Sequence, residues 1–145
     1  MKYRRFILRL LSFTFCFIIP FSTGAQSGDF DPSQISDGNL KLFKAVMCED
    51  MQGNIPQNPT SVFSLERRKA VCFTSFDPVP EQITIYHIWF HKDRPSAKLK
   101  LTLKPPRWST FSSIQFREED IGPWKVEITD SEGHIFHILR FSITE

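Results

Sequence analysis

Residues 96–104 (SAKLKLTLK) alternate without a break. Ala97, Leu99, Leu101 and Leu103 fall on one side, and Lys98, Lys100, Thr102 and Lys104 on the other. A helical period of 3.6 would scatter these leucines around an axis, whereas a strand sends alternate side chains to opposite faces. The segment therefore reads as a strand with one wet face. A chain containing it must form a sheet with something packed on its apolar side.

Related patterns recur between turn signals. Strands are expected at 40–48 (LKLFKAVMC), 68–76 (RKAVCFTSF), 82–91 (QITIYHIWFH), 96–104, 107–116 (RWSTFSSIQF), 123–130 (PWKVEITD) and 134–144 (HIFHILRFSIT). Their β-branched and aromatic content suits a pleated surface. In the last of them, Ile135, His137, Leu139, Phe141 and Ile143 are expected on one face. Residues 49–60 (EDMQGNIPQNPT) read as a Pro- and Asn-rich loop, with a brief pairing at 61–65. DPVPE, KDRP and SEG supply turns. About seven strands with no helical period predict an all-β, antiparallel, immunoglobulin-like β-sandwich, with a small barrel as the alternative.

Residues 1–25 read differently. Lys2, Arg4, Arg5 and Arg9 precede the apolar run 10–21, and Thr23 and Ala25 stand at the small-residue positions before Gln26. That order is the pattern of a secretory signal peptide, so an exported chain, periplasmic or secreted, is expected. The alternative is a retained anchor. The run is shorter than the roughly 20 residues of a spanning helix, and Pro20 and Gly24 would end it. After cleavage no transmembrane span is expected. Residues 26–39 (QSGDFDPSQISDGN) read as a flexible leader and 40–145 as a single domain. Cleavage would remove four of the 18 basic residues and none of the 16 acids, turning the formal charge from +2 to −2. Two cysteines, Cys48 and Cys72, would remain. In an exported chain such a pair most often forms a disulfide, with two buried free thiols as the alternative.

The segments, taken in order, resemble a known family. They are Cys48-Glu49-Asp50, Cys72-Phe73-Thr74, His87-x-Trp89-Phe90, Pro106-Arg107-Trp108 with Ser112-Ser113, Gly122-x-Trp124-x-Val126, and Asp130-x-x-Gly133 before an apolar closing strand. This pattern is similar to the domain of unknown function 2914 family of bacterial exported or membrane-tethered proteins, over about 40–144. Basic residues that the family often carries after the Arg-Trp pair and after the paired serines are here Ser109 and Ile114. The resemblance implies a fold and a compartment, and no activity.

Chemistry-bearing residues are few. His87 and His91 would lie about 13 Å apart along a strand, too far to share an ion. His134 and His137 would face opposite ways. No metal site is expected, and His87 and His137 are read as hydrogen-bonded in or beside the core. There is no G-x-S-x-G elbow and no glycine-rich phosphate loop, so neither a catalytic set nor a cofactor is expected. Glu118-Glu119-Asp120 reads as a solvated link. Between Lys92 and Arg107, six basic residues (Lys92, Arg94, Lys98, Lys100, Lys104 and Arg107) face one acid, Asp93. This stripe would either bind an anionic partner or protect an edge strand. Nucleic acid is not expected of an exported, acidic chain.

A non-enzymatic envelope module is therefore expected, its partner an envelope protein or a glycan. The second reading is a glycan- or anion-binding site at Arg107 and Trp108 with Lys98, Lys100 and Lys104. The third is a hydrolase with a site assembled across strands from His87, His134 or His137 and a carboxylate.

Overall fold

A computed structural model describes residues 40–145. The expected signal peptide and leader lie outside the described residues. Nine strands follow in order: β1 (Leu42–Gln52), β2 (Ile55–Pro59), β3 (Val62–Ser64), β4 (Lys69–Phe76), β5 (Ile83–His91), β6 (Arg94–Leu103), β7 (Trp108–Gln115), β8 (Gly122–Asp130) and β9 (Ile135–Thr144). They form two sheets, β2-β1-β4-β7 and β3-β9-β8-β5-β6. The chain crosses between sheets from β2 to β3, β3 to β4, β4 to β5, β6 to β7 and β7 to β8, as in an immunoglobulin-like sandwich. All pairings are antiparallel except β3 with β9. No helix among the described residues is long and apolar enough to cross a membrane.

The inner faces follow the period-two pattern. Ala97 and Leu99 of β6 pack on the cluster of Met47, Phe63, Cys72, Trp89, Val126 and Phe141, while Leu101 and Leu103 serve a second cluster with Phe76, Ile85 and Ile128. Lys98 and Lys100 point outward from β6, an edge strand, where lysine discourages pairing with another chain.

Two strands exceed the seven expected. Residues 49–60 form no open loop: β1 continues to Gln52, turns at Gly53 (φ 60°) and returns as β2, with Pro56 opposite Met51 and Pro59 opposite Cys48. Proline is tolerated there because β2 is an edge. The brief pairing at 61–65 is β3, three residues alongside β9.

The expected Cys48–Cys72 disulfide is absent: both thiols are buried and free. The register accounts for this. Cys72 lies opposite Met47 and faces the core, whereas Cys48 lies opposite Val71 and so leaves the other face of the same sheet. Burial, the leading cause, pushes both thiols above the usual cysteine pKa. Thiolate is the reacting form, so both should be inert in the native protein. In a peptide-mapped iodoacetamide experiment, the peptides containing Cys48 and Cys72 should stay unlabelled natively and become alkylated in denaturant without reductant. Alkylation that requires reductant would restore the disulfide.

Candidate functional site

Three buried polar side chains meet between the sheets. β5 sends His87 inward, β7 sends Ser112, and β4 sends Thr74, all buried. His87 Nδ1 lies 2.8 Å from Ser112 Oγ and its Nε2 lies 3.2 Å from Thr74 Oγ1. Trp89 Nε1, which can only donate, gives its proton to Ser112 Oγ at 3.1 Å. One proton arrangement satisfies every donor. Ser112 donates to His87 Nδ1, His87 Nε2–H donates to Thr74, and Thr74 donates to the Thr110 carbonyl at 3.5 Å. Protonating Nδ1 would present Ser112 Oγ with two incoming donors and leave its own proton without an acceptor. Burial also lowers the His87 pKa to about 4. The ring is thus neutral and sits in a closed hydroxyl relay. This agrees with the core-hydrogen-bonded reading of His87, and no carboxylate is among its hydrogen-bond partners.

His137 is different: it is exposed. The register shifts between Ile128 and Thr129, so Phe136 turns inward against Phe76 (5.4 Å between ring centroids) and His137 turns out. Leu139, Phe141 and Ile143 keep the expected inward face, but Ile135 does not.

The second constellation surrounds Trp108. It begins the edge strand β7, opposite Phe76, with 36 % of its surface exposed. A groove beside it is lined by Phe43, Ser75, Asp77, Arg107 and Ser109. Phe43 is 72 % exposed, because a bulge between Leu42 and Lys44 leaves it unpaired. Arg107 Nε lies 3.7 Å from Asp77 Oδ2, Ser109 Oγ donates to Ser75 Oγ at 3.0 Å, and Lys104 Nζ stands 5.7 Å from the Trp108 ring centroid. The structure thus brings Arg107, Trp108 and Lys104 together. Lys98 and Lys100 are not: they stand on the outer face of β6, Lys98 over the Tyr86 ring at 4.3 Å. Asp77, Ser75 and Phe43 were missed, since they come from β4, its following turn and β1. Only the Pro-rich turn 77–81 hinted at a surface feature there.

Ser113 is exposed and Trp89 is fully buried. Gly122 and Trp124 line up beside His91, whose ring stacks on Trp124 at 4.6 Å. Gly133 (φ 92°) closes the hairpin between β8 and β9. In that hairpin Asp130, Glu132 and His134 bring potential ligand atoms within 4.8 Å of one another. The turn itself accounts for their proximity: Asp130 Oδ1 accepts the Glu132 and His134 amides, and Oδ2 lies 2.8 Å from His134 Nδ1. Burial raises the Asp130 pKa, but these hydrogen bonds outweigh it and hold the carboxyl below its ordinary value. Comparing histidine with histidine missed this group, whose donors alternate through a turn.

A family model, Protein of unknown function (DUF2914), matches residues 82–143. The matched span runs from β5 into β9 and contains His87, Trp89, Arg107, Trp108, Ser112, Ser113, Gly122, Trp124 and Gly133. It agrees with the family resemblance read from the sequence, over part of the span expected. No curated protein matches the chain. Similar solved structures include a β-glucosidase from Listeria innocua in complex with isofagomine, at 9% identity and a TM-score of 0.43. That similarity covers 72% of this chain and 16% of that one.

Proposed function

We propose that this chain is an exported, non-enzymatic binding module of the bacterial cell envelope, and that the groove beside Trp108 takes a glycan. Export rests on the signal-like pattern of residues 1–25. The glycan reading rests on one observation: a partly exposed indole stands among groups that hydrogen-bond hydroxyls. Sugars present apolar C–H faces to aromatic rings and hydroxyls to their surroundings. Trp108 and Phe43 offer the rings, while Asp77, Arg107, Ser75 and Ser109 offer acceptors and donors. The non-enzymatic reading is supported by the separation of possible catalytic groups. His87 is engaged with hydroxyls in the core, and the histidine that meets carboxylates, His134, stands on a turn.

Solubilised peptidoglycan fragments, titrated calorimetrically into the protein, test the groove. Saturable binding should weaken at least tenfold in Trp108→Ala and in Arg107→Gln, with far-UV circular dichroism unchanged. Binding that is absent, or undiminished in both variants, overturns the glycan reading. Fractionation of the producing cells should place an epitope-tagged chain in the envelope, and accumulation in the cytosol would overturn export.

A further inference from the structure

The Gly122-x-Trp124 motif takes no part in the groove at Trp108. It lies at the other end of the sandwich, about 26 Å away along β5. There a pocket of about 240 Å³ is lined by Lys92, Asp93, Pro123, Trp124, Lys125, Arg140 and Phe141. We propose that this pocket binds a phosphate group, with Lys92, Lys125 and Arg140 as its cationic wall.

Three independent features support this. First, Lys125 and Arg140 are directly opposed on β8 and β9. Like charges in that position repel, and an anion between them would turn the repulsion into attraction. Second, among the described residues neither Lys92 nor Arg140 has an ion-pair partner. Lys125 is held by Glu127 at 3.0 Å and by Asp93 at 3.8 Å. With Glu127 counted beside the lining, three cations stand against two acids, and the uncommitted positive charge lies on Lys92 and Arg140.

Third, the backbone is arranged to put Lys92 at the pocket. Lys92 and Asp93 form the two-residue turn between β5 and β6, with φ of 47° and 62°. Glycine, asparagine or aspartate ordinarily fills such positions, and a lysine there carries backbone strain. The Lys92 amide donates to the Pro123 carbonyl at 3.0 Å. The lysine stem crosses Gly122 so closely that a Cβ there would come within 3.0 Å of Lys92 Cε, and Gly122 itself has φ of 127°. A side chain at Gly122 would strain the backbone and push the lysine stem aside by a few tenths of an ångström. The family-motif glycine thus seats a cation beside the pocket. Trp124 is fixed behind it by donating its Nε1–H to the Asp120 carbonyl at 2.8 Å. Arg140 can grip two phosphate oxygens at once, and the lysines act as point charges beside it.

The test is a titration of the isotope-labelled protein with inorganic phosphate at constant ionic strength, followed by amide NMR. Saturable shifts are expected at Lys92, Trp124, Lys125 and Arg140, and chloride should not reproduce them. Each charge-assisted contact removed should weaken binding about tenfold. Lys92→Gln and Arg140→Gln should show this, with Lys41→Gln, an exposed cation outside the pocket, binding as the wild type. A parallel arm uses phosphatidylglycerol vesicles against phosphatidylcholine vesicles. Phosphate binding without cosedimentation assigns the site to a soluble phosphate ester. Lys92- and Arg140-dependent cosedimentation assigns it to a lipid headgroup. Shifts equalled by chloride, or unchanged in both Gln variants, overturn the proposal. Because the groove at Trp108 lies at the opposite end, Trp108→Ala should leave phosphate binding intact, so the two sites succeed or fail separately.

Discussion

Unfolding free energy should hold steady from pH 8 to 7 and then decline, by about 2 kcal/mol at pH 5 and about 3 kcal/mol at pH 4. The source is His87. In the unfolded chain its imidazole takes a proton near pH 6.5, while in the folded protein burial delays protonation to about pH 4. Between those values the unfolded state holds more protons, so acidification favours it. The stability is fully present above 6.5 and is lost as pH falls toward 4. The relay explains the delay in atoms as well as in burial: with a proton on Nδ1, Ser112 Oγ would accept from both His87 and the Trp89 indole, and its own hydroxyl proton would be left without an acceptor. Asp130 has a lowered pKa, so its contribution also disappears on acidification, but only below the ordinary carboxylate range. Urea unfolding at a series of pH values measures the decline. His87→Phe should remove the part between pH 6.5 and 4 and leave the lower carboxylate part. A wild type equally stable at pH 7 and pH 5 would show that the fold does not delay protonation of His87.

What could be read from the sequence depended on how local the cause was. β6 and β8 were legible because each has one wet and one apolar face, and alternation is a property of a single segment. β2 was not, because Pro56 and Pro59 read as loop residues, and only a free sheet edge makes them compatible with a strand. The face of His137 depended on a register shift against β8, which leaves no mark in β9. The disulfide failed for a related reason. Each cysteine's strand was identified, but which strands would neighbour, and with what register, decides whether two side chains share a face.

The sites divide in the same way. Arg107 and Trp108 are adjacent in sequence, so their shared location was visible, while Asp77 and Phe43 joined them only through the sheet. The hydroxyl partners of His87 lie 13 and 25 residues away in sequence. Burial of the histidine was legible, but the direction of its proton relay was not. The basic stripe was legible as composition and misleading as a unit. Lys92, Lys98, Lys100 and Lys104 point to separate places: the pocket at Trp124, the outer face of β6 and the Trp108 ring. A hairpin folded between Lys92 and Arg94 distributes charges that the sequence strings together.

Trp89→Ala should cost about 3–5 kcal/mol, a loss comparable with the whole stability of many domains this size. Trp89 is completely buried at the centre of the larger core cluster, with its ring edge-on to Phe141 at 5.9 Å between centroids. Alanine would leave a cavity bounded by both sheets and remove the indole donor from Ser112. Trp89→Phe keeps an aromatic ring near Phe141 and loses mainly the donor. Since Ser112 can still donate to His87, that loss should be about 1–2 kcal/mol. The pair also probes the histidine. In Trp89→Phe the core stays closed, so the decline in stability between pH 7 and 5 should persist. In Trp89→Ala, water entering beside Ser112 would relieve the burial that lowers the His87 pKa, and the pH dependence should flatten along with the fall in stability. Urea midpoints at pH 7 and pH 5 for the three proteins decide it. Equal stability of the two variants, or identical pH slopes in all three, would show that Trp89 packs the core without sealing the His87 relay.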